Sequence, residues 1–408
     1  MLHKFYEKTL NNELKVIAIP MNRGSNVITS NIFYKVGSRN EVLGKTGLAH
    51  MLEHMNFKST KNLKEGEFDK IVKSLGGVDN ASTGFDYTHY FIKTSSNYLN
   101  KTFELFSEVM QNLNLNDEEF QRERKVVYEE RLWRTDNNPI GYLYFRLFNN
   151  TFIYHPYHWT PIGFKEDILN WNIEDVKEFH KTYYQPKNAF LLVAGDIDAD
   201  EVFKNAEKYF SHIKNHSNIP SIHQKEPPID GDKILEIKRE TEVNIVALAF
   251  HIPEFNHQDQ VALSAYSEIL SGGKSGVLRE RLINKLSLVN EVYGYNMELK
   301  DKGVFLVLAV LNPGVNPSKV VKEIKNILLN TKITKKVLNK VKAQTKMDFI
   351  TSLESSSSVS NIYGDYFAKG DITPLLEYEE KINSLTPTNI EDIKKYFNNS
   401  VEVRLLQK

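Results

Sequence analysis

The chain contains no cysteine. Disulfides, thiolate metal sites and cysteine nucleophiles are excluded, and any bound metal must be held by nitrogen and oxygen. There is no net charge either, because 52 Lys and Arg balance 52 Asp and Glu. No global field draws the protein to nucleic acid or to anionic lipid, so neither is expected as a partner. A run of about 18 apolar residues is missing, so no membrane span is predicted. The opening residues, Met1-Leu2-His3-Lys4-Phe5-Tyr6-Glu7-Lys8, lack the apolar core of a signal peptide, which points to a cytoplasmic protein rather than a periplasmic one. Hydrophobic and charged fractions of 41% and 25% are those of an ordinary soluble globular protein. The lysines at 335, 336, 340, 342 and 346 read as a solvated helix face.

At 408 residues the chain exceeds one ordinary core. The composition turns to Asn, Ser, Pro and Lys around Pro220, Pro227 and Pro228, which marks a linker. We expect a domain over 1–213, a linker over 214–232 and a second domain over 233–408. Both halves read as strands interleaved with helices, an α+β pattern. In the first half a hairpin turns at Asn11-Asn12. A strand follows over 26–36, then a helix from Gly47 and another ending at Gly76-Gly77. Next come a strand-like stretch from Val78 to Thr94, two long helices near 96–113 and 117–132, and the strand Ala189–Ala194. Asn172-Ile173-Glu174-Asp175-Val176-Lys177-Glu178-Phe179 returns as Asn389-Ile390-Glu391-Asp392-Ile393-Lys394-Lys395-Tyr396, 217 residues later, each copy leading into a terminal strand. That is the mark of a duplicated domain.

The chemistry centres on His50-Met51-Leu52-Glu53-His54. Histidines four apart lie one turn apart on a helix face, with a glutamate beside them. The order is the reverse of the common zinc-hydrolase signature, yet both imidazoles still reach one ion and the carboxylate still flanks it. The position 217 residues after His50 is Ser267, so only the first half carries the motif. A hydrolytic zinc site keeps three protein ligands and leaves a fourth position for water. The helix at 117–132 offers Glu123, Glu129 and Glu130. Glu123 and Glu130 are two turns apart on one face, so one could ligate while the other supports it. Glu129 points about 100° away and reads as solvated. His155 and His158 read as part of an aromatic loop on the first domain rather than as a second metal pair.

Gly47-Leu48-Ala49-His50-Met51-Leu52-Glu53-His54-Met55-Asn56-Phe57-Lys58-Ser59-Thr60 closely resembles the zinc helix of the M16 (pitrilysin, or inverzincin) metallopeptidases, and the likeness extends over essentially the whole chain. The two-domain bacterial members, related to the mitochondrial processing peptidases, are the nearest in pattern. The resemblance implies two homologous domains, each a mixed or antiparallel sheet with helices, closing like a clamshell on a peptide. It implies Zn²⁺ on His50, His54 and Glu130, the last standing 76 residues after His54 as the family's third ligand does. It implies Glu53 as general base and Glu123 as a supporting catalytic residue. Asn80-Ala81-Ser82-Thr83 resembles the family's active-site edge strand, whose backbone at Asn80, Ala81 and Ser82 would pair with substrate.

The resemblance fails at one place. The second domain of these peptidases carries an Arg and a Tyr seven residues apart that grip the substrate. Alignment on Gly272-Gly273-Lys274-Ser275 puts Ile283 and Asn290 at those positions. The expected protein is therefore a zinc-dependent endopeptidase of short or unfolded peptides that works as the zinc-bearing subunit of a pair. A second M16-like chain would supply the Arg–Tyr pair. The alternatives are a non-catalytic peptide-binding or scaffold subunit, and a self-sufficient homodimeric peptidase.

Overall fold

The computed structural model describes residues 2–408. Strands β1 (Tyr6–Thr9), β2 (Lys15–Pro20) and β3 (Val27–Tyr34) are followed by helices α1 (Leu48–Met55) and α2 (Glu67–Ser74). Then come β4 (Val78–Thr83), β5 (Thr88–Ser95), α3 (Leu99–Asn112), α4 (Asp117–Arg131), α5 (Pro139–Thr151), α6 (Lys165–Asn170), α7 (Ile173–Tyr183), β6 (Ala189–Gly195) and α8 (Ala199–Phe210). Residues 214–232 hold neither helix nor strand. The chain resumes with β7 (Lys233–Arg239), β8 (Ile245–Ile252), α9 (Gln260–Ser271), β9 (Val289–Met297) and β10 (Gly303–Leu311). It continues with α10 (Pro317–Asn330), α11 (Lys335–Ser352) and α12 (Ser356–Lys369), then short helical turns and β11 (Val401–Gln407).

The two sheets repeat one topology. The first runs β1-β2-β6-β3-β5-β4 and the second β7-β11-β8-β10-β9. In each, the strand that ends the repeat, β6 or β11, lies parallel to one neighbour (β2 or β7) and antiparallel to the other (β3 or β8). Strands β4 and β9 then occupy equivalent edges. The repeated segment sits just before β6 and β11, as a duplicated domain requires. The stretch from Val78 to Thr94, read as one strand-like run, is two strands joined by a turn at Gly84–Tyr87, where Gly84 N–H donates to Tyr87 O at 2.9 Å.

The chain forms two compact units that are not contiguous in sequence. One takes the chain up to Arg131, Trp159–His223 and Ile350–Ile372; the other takes Leu132–His158, Gln224–Phe349 and Thr373–Lys408. Helix α12, from late in the chain, lies on β3 and β6 of the first unit, while α5, from early in the chain, lies on β8 and β11 of the second. This exchange explains why β6 is buried along its whole length rather than alternating: it is covered on both faces. On the α12 side Phe33 stacks on Phe190, with ring centroids 4.7 Å apart, and Gly364 of α12 rides so close over Phe33 that any Cβ would overlap the ring. On the other side α1, α3, α4, α7 and α8 contribute to the apolar core.

The loop at 155–159 does not pack on the first unit as a whole. His155 belongs to the second, where its Nε2 and a carboxylate oxygen of Asp301 lie 3.0 Å apart and its ring centroid is 4.2 Å from that of Tyr157. His158 Nδ1 bonds Phe152 O at 2.6 Å, so these histidines are structural. Trp159 belongs to the first unit and donates its indole N–H to Ser38 O at 3.0 Å.

Candidate metal centre

Helix α1 is held from within and from its end. Leu48, Met51, Leu52 and Met55 are buried, each stabilising the packed helix by about 2 kcal/mol. Its first turn follows Gly47, whose φ of +87° is in the left-handed region; a Cβ there would meet Trp171 at 2.7 Å and Ile162 O at 2.8 Å. The buried Glu41 closes the N-terminus by accepting Gly47 N–H and Ala49 N–H, both at 2.8 Å, and Trp159 Nε1–H at 2.9 Å. Burial pushes the Glu41 carboxyl up to about 8 against the pull of these donors.

With that face fixed inward, His50, Glu53 and His54 project from the opposite side. Helix α4 meets them with Glu123, Val127 and Glu130 on one face; Val127 is in the core and Glu129 is exposed, as the helical spacing predicts. His54 Nε2 lies 3.3 Å from His50 Nε2 and 3.3 Å from one oxygen of Glu130, whose other oxygen is 3.8 Å from His50 Nε2. Donors at zinc bond lengths in a tetrahedron sit about 3.3–3.6 Å from one another. The three groups thus fit an ion with little movement, and their N, N, O donor set suits zinc. Among the described residues this is the one cluster of at least three such donors within reach of a common ion.

Glu123 stands behind His54. One of its oxygens is 2.8 Å from His54 Nδ1 and the other is 2.6 Å from Lys58 Nζ. Burial disfavours charge on both His54 and Glu123, but mutual attraction wins at each. Glu123 and Glu130 raise His54 to about 9, while His54 and Lys58 hold Glu123 below the usual carboxylate range. The pocket thus favours positive charge at the point where a cation would sit.

Thr83, at the end of β4, donates its hydroxyl to Glu53. Strand β4 is the sheet edge and pairs with β5 alone among the described residues. Asn80 and Ser82 are exposed and Ala81 is half-buried, alternating as an edge strand does. Helix α1 lies against this strand. In the second unit Ser267, standing where the repeat puts His50, bonds Gly294 O at 3.2 Å. Ile283 packs against the core there and Asn290 is exposed on β9.

Two residues around the site, Lys58 and Glu41, escaped sequence reading, and Thr83 was read as part of the edge strand but not as a partner of Glu53. Lys58 follows His54 by four positions and Thr83 shares the strand face of Ala81, so both carried a weak spacing signal. Glu41 carried none, because its role depends on where the loop after residues 38–40 folds back on α1.

Residues 16–152 match the family model described as Insulinase (Peptidase family M16), and residues 170–345 match the one described as Peptidase M16 inactive domain. The zinc protease PqqE of Helicobacter pylori is 49% identical over 403 residues, covering 97% of this chain and 91% of its own. A solved structure of a protease from Helicobacter pylori matches with a TM-score of 0.97 at 48% identity, over 99% of this chain and 100% of that one. A more distant relative is a probable mitochondrial-processing peptidase subunit beta from Arabidopsis thaliana. It is 26% identical over 317 residues, 74% of this chain and 58% of that protein. With the inverted His-Glu-His helix and its glutamate partner in place, the chain belongs to the M16 family of zinc proteases.

Proposed function

We propose that the chain is a zinc-dependent metalloendopeptidase of short or unfolded peptides, and that it serves as the zinc-bearing subunit of a two-chain enzyme. The observation that carries the peptidase reading is the spacing of His50 Nε2, His54 Nε2 and Glu130, with Glu53 on the same helix. His50, His54 and Glu130 would hold the zinc, which would supply Lewis acidity to the scissile carbonyl and to water. Glu53 takes the proton of the attacking water and delivers it to the leaving amine. Thr83 holds the Glu53 carboxylate while Glu123 orients His54. The open edge of β4 at Asn80–Ser82 pairs with an extended peptide through backbone hydrogen bonds, a mode that reads conformation more than side-chain identity.

The subunit reading rests on Ile283, which has no polar group, and Asn290, whose neutral amide supplies neither the cation of an Arg nor the phenol of a Tyr. Loss of such stabilisation is commonly worth about a hundredfold in rate or more. The test is peptide hydrolysis by the pure chain, alone and with a two-domain paralogue that lacks the zinc motif but has the Arg–Tyr pair. We expect weak activity alone and a gain of about a hundredfold in the mixture. Full activity alone contradicts the subunit role and favours the homodimeric alternative.

A further inference from the structure

Lys58 stands one helical turn beyond His54, its backbone N–H bonding Met55 O at 3.1 Å as the chain leaves α1. Its ammonium is mostly covered and lies between two carboxylates, 2.6 Å from Glu123 and 3.2 Å from Glu65. The two contacts differ in kind. Glu65 is half exposed and is shared with Arg122 at 2.9 Å, an arrangement worth little. Glu123 is buried, and its remaining oxygen is the one that meets His54 Nδ1. A carboxylate with one such bond can pivot about it; with a donor on each oxygen its plane is fixed.

We propose that Lys58 is a positioning residue of the metal centre: it fixes Glu123 on His54 Nδ1 and so aims His54 Nε2 at the ion. The proton is then on Nδ1 and the lone pair on Nε2, the arrangement a histidine ligand needs. Lys58 also offsets one of three carboxylates, Glu53, Glu123 and Glu130, gathered around two histidines. The inference rests on the metal reading given above.

The experiment is Zn²⁺ affinity of the full chain by competition with a chromophoric chelator, for wild type, K58M, K58R, E65Q, E123Q and the K58M/E123Q pair. Thermal melts in chelator establish that each metal-free variant folds. K58M is expected to bind zinc about tenfold more weakly or worse, within the range seen for outer partners of metal ligands. K58R should restore most of the loss, and E65Q should stay within about twofold of wild type. In the E123Q background K58M should change nothing further, because the residue acts through Glu123. Wild-type affinity in folded K58M, or an undiminished loss on the E123Q background, overturns the inference and leaves the zinc site standing. Absence of zinc binding by the wild type overturns both.

Discussion

The hydroxyl of Thr83 donates to the carboxylate of Glu53, joining the last residue of the edge strand to the acid of the metal helix. Thr88 donates to Val36 O at 2.9 Å and approaches Thr83 Oγ1 at 3.4 Å, which steadies this corner of the sheet. A peptide added to β4 would thus lie on the element that holds the proposed general base. A hydrogen bond to a charged group is worth about 1.5–3 kcal/mol, or roughly 10–100-fold in rate. Thr83→Val should lower kcat/KM by that factor with zinc content unchanged, and Thr83→Ser should retain most activity. Steady-state kinetics beside metal analysis makes the comparison; equal loss in the serine variant would contradict it.

Glu41 should matter to stability before it matters to chemistry. Glu41→Ala leaves the Gly47 and Ala49 N–H groups buried without their acceptor, at about 1–3 kcal/mol each. Urea unfolding is expected to show a loss of about 3 kcal/mol. Zinc affinity should fall as well, since the end of α1 that leads into His50 is no longer held. A stable variant with unchanged zinc affinity would show that the cap is dispensable.

Gly364 is where the exchanged helix α12 fits its sheet. Gly364→Ala forces a methyl into the Phe33 ring, and overpacking of a rigid core costs about 1–3 kcal/mol or more. Phe33→Leu costs stability alone, because Phe33 stacks on Phe190 and on His89. Combined with Gly364→Ala it should cost less than the sum of the two. Additive losses in a double-mutant cycle would contradict the fit described here.

Burial lowers His89, His180 and His251 each to about 4. Free histidine titrates near 6.5, so between about 6.5 and 4 the unfolded chain binds protons the folded chain refuses. The stability tied to these groups is complete above about 6.5 and is lost as pH falls through 4. Glu41, raised by burial, works in the opposite direction, losing stability as pH rises from its ordinary range to about 8. The clean comparison is therefore His89→Phe against wild type. His89 already stacks on Phe33 at 4.9 Å, and phenylalanine suits that place. Between pH 6.5 and 4 wild type should lose up to about 3 kcal/mol more than the variant in denaturant titrations. Parallel profiles would contradict the assignment.

The order of elements was legible because the periodicities are strong. The strand character of 78–94, the glycines after α2 and the repeat before β6 and β11 each have a local cause, although the turn that splits 78–94 into β4 and β5 went unread. So did the metal set: a two-turn interval on α4 brings Glu123 and Glu130 to one face, and the motif does the same for His50 and His54. The exchange of α5 and α12 was not legible. An amphipathic stripe says that a helix buries one face but not against which sheet, and both sheets offer an apolar one. Lys58 and Glu41 were silent for a related reason: a lysine or glutamate in sequence reads as solvated until a tertiary partner claims it.

The most direct test of the account is Glu53→Gln, measured for zinc content and for hydrolysis of an unstructured peptide in the presence of the proposed partner chain. The substitution leaves His50, His54 and Glu130 in place while removing the only basic group on α1 that flanks them without ligating. The account predicts about one zinc per chain in both proteins and a loss of hydrolysis of at least about a hundredfold in the variant. Undiminished hydrolysis by the zinc-loaded variant would contradict it.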